Sequence, residues 1–319
     1  MAAPANAKRE RPAALEAAVT TVTIPGLGLT NGVFVLADGT RVFSSTSAVI
    51  SLQLPSGRLA TIAGLKGEKG FKDGEGTAAR FHLPIGLTVD RDGAVVVVDR
   101  DNHAIRTVSK AGAVVSTLAG NREPGHADGQ GADARFTDPH SIVLAANGDQ
   151  LVSDEHAIRV VTPGGAVRTL AGSGEAGFAD GQGAAARFNY PMGLALEADG
   201  SLLVSDFGNH AIRRVTMAGV VSTVVGNGEK GFADGSCAAA RFNSPNGIVV
   251  DGEGAVVVAD RGNNRLRKIV DGQVTTLAGS SEAGTADGTG AGARFDQPFA
   301  LALDERGRLL VLESGIESR

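Results

Sequence analysis

Apolar residues along this chain fall in short runs separated by turn pairs such as Asp-Gly and Ala-Gly. The stretch from Pro191 to Gly226 shows the pattern in full. Leu194–Leu196 is apolar, Asp199-Gly200 signals a turn, and Leu202–Ser205 is a second run. Phe207–Asn209 is turn material, and His210–Val215 is a third run. Ala218-Gly219 turns again before a fourth run, Val220–Val225. Runs of strand length bounded by such pairs predict an antiparallel meander of four strands. The second run is almost wholly apolar, as in Val95–Val98 and Val256–Val258. That composition suits a strand covered on both faces. A lone meander cannot cover both of its faces, whereas a ring of stacked meanders covers every one.

The pattern recurs. Arg-Phe stands at Arg80-Phe81, Arg135-Phe136, Arg187-Phe188, Arg241-Phe242 and Arg294-Phe295, in steps of 55, 52, 54 and 53 residues. An Asp-Gly pair precedes each (Asp73, Asp128, Asp180, Asp234, Asp287), and a proline follows (Pro84, Pro139, Pro191, Pro245, Pro298). The 319 residues hold about six such steps, and a fixed period of this length marks a propeller or solenoid. The expected fold is therefore all-β: a six-bladed β-propeller of four-stranded antiparallel blades. The blades span about 31–64, 84–120, 139–172, 191–226, 245–279, and 298–319 joined by 17–24. The chain stops short of a fourth strand after Pro298, and Ala17–Ile24 resembles an outer strand. Pairing of the N- and C-terminal strands is expected to close the ring and remove exposed edges, with Gly315–Arg319 supplying part of a third strand. Residues 1–16 are expected to form a flexible tail ahead of a single propeller domain, 17–319.

Composition narrows the setting. The net charge is −5, the chain has 45 glycines and no tryptophan, and Cys237 is its one cysteine. A single cysteine forms no internal disulfide, which fits a reducing compartment. No secretory leader and no run of about 20 apolar residues is present. A cytoplasmic monomer is the expectation.

Asn102-His103-Ala104-Ile105-Arg106 and Asn209-His210-Ala211-Ile212-Arg213 resemble the motif of NHL repeats, with Asn263-Asn264-Arg265-Leu266-Arg267 as a variant. Glu155-His156-Ala157-Ile158-Arg159 is a shortened form. The resemblance covers the chain from about residue 17 onward and implies a propeller. It leaves function open, because proteins with these repeats include scaffolds, nucleic-acid binders, sensors and a few enzymes.

Residues present in every blade are expected to serve the blade. Asp99, Asp154, Asp206 and Asp260 end second strands, where a carboxylate would cap the following turn. Asp73, Asp128, Asp180, Asp234 and Asp287 are expected to order their Gly-rich loops by pairing with the arginine seven residues on. Those arginines are Arg80, Arg135, Arg187, Arg241 and Arg294. A calcium role is weaker, since each loop offers one carboxylate to a cation that takes about six to eight oxygens. Phe81, Phe136, Phe188, Phe242 and Phe295 are expected to anchor the loops on the ring. Function is then sought where blades differ. The residue after the repeated proline opens the innermost strand at the mouth of the central channel. The candidates there are Asn31, Ile85, His140, Met192, Asn246 and Phe299.

Pro139-His140-Ser141 resembles a stretch of the peptidyl-amidoglycolate lyases, whose channel zinc is held by three histidines. Only His140 among these six mouth positions is a histidine, and a catalytic zinc takes about three protein ligands. Gluconolactonase-like propellers would need a Glu–Asn–Asp metal set; Asn31 and Asn246 echo part of it without a channel carboxylate. No catalytic residues, metal or cofactor are expected, and the chain is read as a non-catalytic scaffold for a protein partner. A lactonase- or lyase-type enzyme of the channel is the first alternative. RNA binding is the second, disfavoured by the acidic charge and by a single tyrosine for base stacking. No membrane partner is expected.

Overall fold

The computed structural model describes residues 17–22, 24 and 26–314. The expected tail 1–16, Thr23 of the N-terminal strand and Gly315–Arg319 lie outside these residues. Five full blades are present. The first has four strands, Thr30–Val35, Arg41–Ser45, Ile50–Gln53 and Leu59–Ala63. The other four have five strands each. In the fourth blade they are Pro191–Leu196, Leu202–Asp206, Ala211–Val215 and Val220–Val225, with Gly181–Gln182 on the outer edge. That fifth, two-residue strand comes from the loop ahead of the blade and pairs antiparallel with the outermost strand, Gly181 opposite Val221. The long inter-blade loops thus wrap the rim instead of hanging free.

The expectation of six four-stranded blades closed by pairing of the two termini is overturned. Pro298–Leu303 and Leu309–Glu313 form a sheet of two strands only. Ala18–Val19 pairs with Gly288–Thr289 and with neither C-terminal strand. The cause is Asp287. Its Oδ1 accepts both the backbone N–H and the hydroxyl of Thr21 at 2.7 Å, as Asp180 holds Thr223 of the fourth blade. The N-terminal segment is therefore drawn to the outermost position, against the loop. Among the described residues, the outward edge of Leu309–Glu313 has no strand partner.

Inner strands pack side by side around the channel, Pro298–Leu303 lying against both Pro245–Val250 and Thr30–Val35. A glycine at the third position of most inner strands permits the approach. A Cβ on Gly193 would stand 2.2 Å from the carbonyl oxygen of Asn246 in the next blade. Second strands are buried along their whole length in blades two to five. Between blades two and three, Val96, Val98 and Ile105 pack with Phe136, Ile142, Val152 and Val161.

Burial of those strands carries charge inside with it. Arg106, Arg159, Arg213 and Arg267 are the largest fully buried side chains. Each is held between two carboxylates. Arg213 Nη1 donates to Asp206 at 2.8 Å and Nη2 to Asp180 at 2.7 Å. Its remaining contacts are the carbonyls of Arg187 and Ala179 and the faces of Phe188 and Phe178, 5.2 and 4.8 Å from the guanidinium. The aspartate ending the second strand therefore does not cap the next turn. It takes the buried arginine, Asn209 and the backbone N–H of Asn189. Burial pushes Asp206 up to about 6 against those three partners. The loop aspartate likewise pairs with the arginine 33 residues on, not with the one seven on. Arg187 points outward to Glu175. Desolvation decides this. A buried guanidinium needs anions beside it, whereas an exposed one is satisfied by water.

Two stability outcomes follow. Removing one carboxylate from a buried pair costs about 3–5 kcal/mol, so Asp206→Ala is expected to lose that much in urea unfolding. Glu175→Gln, at an exposed pair, is expected to lose under about 1 kcal/mol. Similar losses for both would show that the two arginines are energetically alike. Gly193→Ala is expected to cost about 1–3 kcal/mol by overpacking; an unchanged midpoint would contradict the tight inner ring.

Candidate functional site

The turn between second and third strands fixes what faces the channel mouth. His103, His210 and Asn264 sit there in left-handed conformation, φ 50°, 52° and 54°, a region where Asn and His are enriched. From it each side chain reaches the loop of the next blade. His210 Nδ1 accepts the N–H of Ser244 at 3.0 Å, and Asn264 Oδ1 accepts that of Gln297 at 3.0 Å. The motif histidines thus join neighbouring blades. They and the loop residues His82 and His126 do not gather into a metal site, and no cluster of three or more metal-ligating side chains occurs among the described residues. Cys237 is half-buried, and desolvation raises its thiol pKa.

Five of the six mouth candidates share one cavity of about 960 Å³: Asn31, Ile85, His140, Asn246 and Phe299. The same five top a second cavity of about 470 Å³ running down between the inner strands. Met192 lines neither. Asn31 Nδ2 donates to the carbonyl of Pro84 at 3.0 Å, and Asn246 is buried. The mouth is thus a mixed surface of amides, an imidazole and two apolar groups.

Sequence reasoning missed Arg100 and Arg261, which also line the larger cavity. Both follow the aspartate that ends a second strand. Arg100 makes a two-pronged pair with Asp138, at 2.5 and 3.0 Å. Arg261 Nη2 donates to Gln297 at 3.0 Å, and its Nε is buried without a partner among the described residues. Blades three and four carry Glu155 and Phe207 at this position, so the search for positions where blades differ would have found them. Desolvation, then the charge of Arg100, lowers His140 to about 4. The imidazole is neutral at physiological pH, able to donate from one nitrogen and accept at the other.

The cavity is not centred on the channel axis. It extends outward to Thr21, Val22, Thr285 and the segment Val311–Ser314, beside the edge of Leu309–Glu313 that is unpaired among the described residues. Second strands of blades two to five are buried throughout, but every residue of Leu309–Glu313 is partly exposed. One site thus combines cations at the inner end, a neutral imidazole, and an apolar strand whose outer edge has no strand partner among the described residues.

Comparison with known proteins agrees with the repeat. The NHL repeat pattern matches residues 81–107 and 242–269. Over 281 residues the chain is 29% identical to Protein SUPPRESSOR OF QUENCHING 1, chloroplastic, of Arabidopsis thaliana, covering 79% of this chain and 26% of that protein. It is 28% identical to NHL repeat-containing protein 2 of Bos taurus, covering 76% of this chain and 39% of that protein. The chain therefore spans well under half the length of these relatives. Among solved structures, virginiamycin B lyase from Staphylococcus aureus superposes with a TM-score of 0.55 at 17% identity, over 93% of this chain and 88% of that one, a likeness of fold. The matched repeats begin at the buried phenylalanines, Phe81 and Phe242, and run through the motif turns to Thr107 and Ile269. Two stretches of this β-propeller thus carry the NHL repeat, and the chain is similar to NHL repeat-containing proteins.

Proposed function

We propose that this propeller is a non-catalytic interaction module whose off-centre cavity takes a segment of a protein partner. The observation that carries the reading is the edge of Leu309–Glu313, unpaired among the described residues, beside the 960 Å³ cavity. Unpaired strand edges offer backbone donors and acceptors to an incoming extended chain, and adjacent pockets select its side chains. Arg100, Arg261, Asn31 and Asn246 supply the polar contacts of such a pocket; Ile85 and Phe299 supply apolar ones. The repeated charges are engaged in holding the blades, which leaves the cavity as the place where blades differ.

A second reading, turnover of a small ligand, draws on His140. A neutral imidazole beside Arg100 and Arg261 has the makings of a general base with cations for an anionic substrate. The interaction reading accounts for the strand edge as well.

Selection from a library of extended peptides is expected to yield a consensus that binds the wild type and loses at least about tenfold in affinity on Arg100→Ala or His140→Ala, the loss of one or two charged hydrogen bonds. Enrichment that ignores both substitutions would place recognition elsewhere. His140 also sets a pH dependence. Its folded pKa lies below the free imidazole value, so its contribution to stability is present above about pH 6.5 and is lost as pH falls through about 4. Compared by thermal unfolding at pH 7 and pH 4.5, His140→Gln is expected to lose less stability on acidification than the wild type. Equal losses would mean that the imidazole is not held neutral.

A further inference from the structure

Four blades hold an arginine in one constant setting, and the outer end of the cavity repeats that setting around different residues. Glu313 stands opposite Pro298 as Asp206 stands opposite Pro191. Its Oε2 accepts the N–H of Asp296 at 2.7 Å, as Asp206 Oδ1 accepts that of Asn189. Asp287 holds Thr21 as Asp180 holds Thr223. Phe295 is buried at the position of Phe188. The carbonyls of Arg294 and Ala286 correspond to those of Arg187 and Ala179, which accept from Arg213. Ala286 is exposed, whereas Ala127, Ala179 and Ala233 are partly covered. Among the described residues no arginine joins Glu313 and Asp287. Two carboxylates, two carbonyls and an aromatic face are the donor-free complement of one guanidinium.

Resting on the interaction reading of this cavity, we propose that its outer end binds an extended partner segment bearing an aliphatic–arginine pair, which adds as a strand to Leu309–Glu313 and places the guanidinium between Glu313 and Asp287. The registers of the complete blades define the fit. In the fourth blade Ser205 lies opposite Ile212 and Val204 opposite Arg213. The matching positions on the open strand are Leu312 for the aliphatic residue and Val311 for the arginine. Ile105, Ile158, Ile212 and Leu266 precede the four buried arginines and are themselves buried. An aliphatic side chain before the arginine is thus part of the fit. Charge complementarity selects arginine over lysine, because two separated carboxylates match the fork of a guanidinium and not a single ammonium.

The test uses the full chain and a fluorescein-labelled acetyl-Ala-Ile-Arg-Arg-Val-amide, a copy of Ala211–Val215, with binding followed by polarisation. Saturable binding is expected. Replacing the first arginine of the peptide by citrulline, which keeps the shape and removes the charge, is expected to weaken it at least about tenfold. The variant Asp287→Asn with Glu313→Gln is expected to do the same while retaining its circular dichroism and unfolding midpoint within a few degrees. Hydrogen exchange should show new protection at Leu309 and Val311 on binding, since the hairpin pairing already engages the N–H groups of Leu310 and Leu312. A citrulline peptide that binds equally, or binding without that protection, overturns the proposal. If library-selected peptides bind with no arginine dependence, the arginine site fails and the interaction module stands. If no peptide of any sequence binds, both fail. A parent peptide that fails to bind because the chain's own residues hold the edge overturns the partner assignment. Protection of Leu309 and Val311 in the free protein identifies that case.

Discussion

An arginine with no solvent contact, held between a buried carboxylate and a half-exposed one, is the interaction on which the rest of this propeller depends. The buried aspartate ends the second strand, the arginine lies on the third, and the other aspartate comes from the loop that arrives from the blade before. One guanidinium therefore joins three parts of the fold. Isolated, each charge would be costly to remove from water; together, with backbone carbonyls and aromatic faces, they offset that cost, although the Nε of Arg106, Arg159 and Arg213 is buried without a partner among the described residues. The long loops are ordered by this contact, and their order creates the short fifth strand on the rim of four blades.

Much of this architecture was legible in the sequence. The four-strand unit, its turns and its period follow from apolar runs and Asp-Gly pairs, because local turn chemistry determines where a meander reverses. The pairing of charges was not legible. Arg187 is seven residues from Asp180 and Arg213 is 33 residues away, and spacing alone favours the nearer one. Burial reverses the choice, and burial belongs to the assembled ring. The number of full blades failed for a related reason. Ala17–Ile24 has the composition of an outer strand, but composition does not say that Asp287 draws it to the rim, away from Leu309–Glu313.

Of the candidate site, the mouth positions were readable from the proline that starts each inner strand, and five of them line one cavity. Met192 does not, and Arg100 and Arg261 were overlooked because they sit in a turn whose neighbours carry the repeat motif. The displacement of the cavity from the axis had no sequence signal. It arises where the regular stacking of sheets gives way to a two-stranded hairpin, so the site of interest coincides with the departure from symmetry.

The loop aspartate belongs to one repeat and the arginine it meets belongs to the next. Every period therefore contributes half of a charge set to each of two neighbours. A duplication or deletion of one whole period preserves all of these partnerships. A cut that falls between a loop aspartate and its arginine strands that arginine inside the protein without one of its anions. Length changes in the ring are thereby confined to whole steps or to the stretches outside these charge pairs, much as a chain of hooks and eyes is shortened between its fastenings.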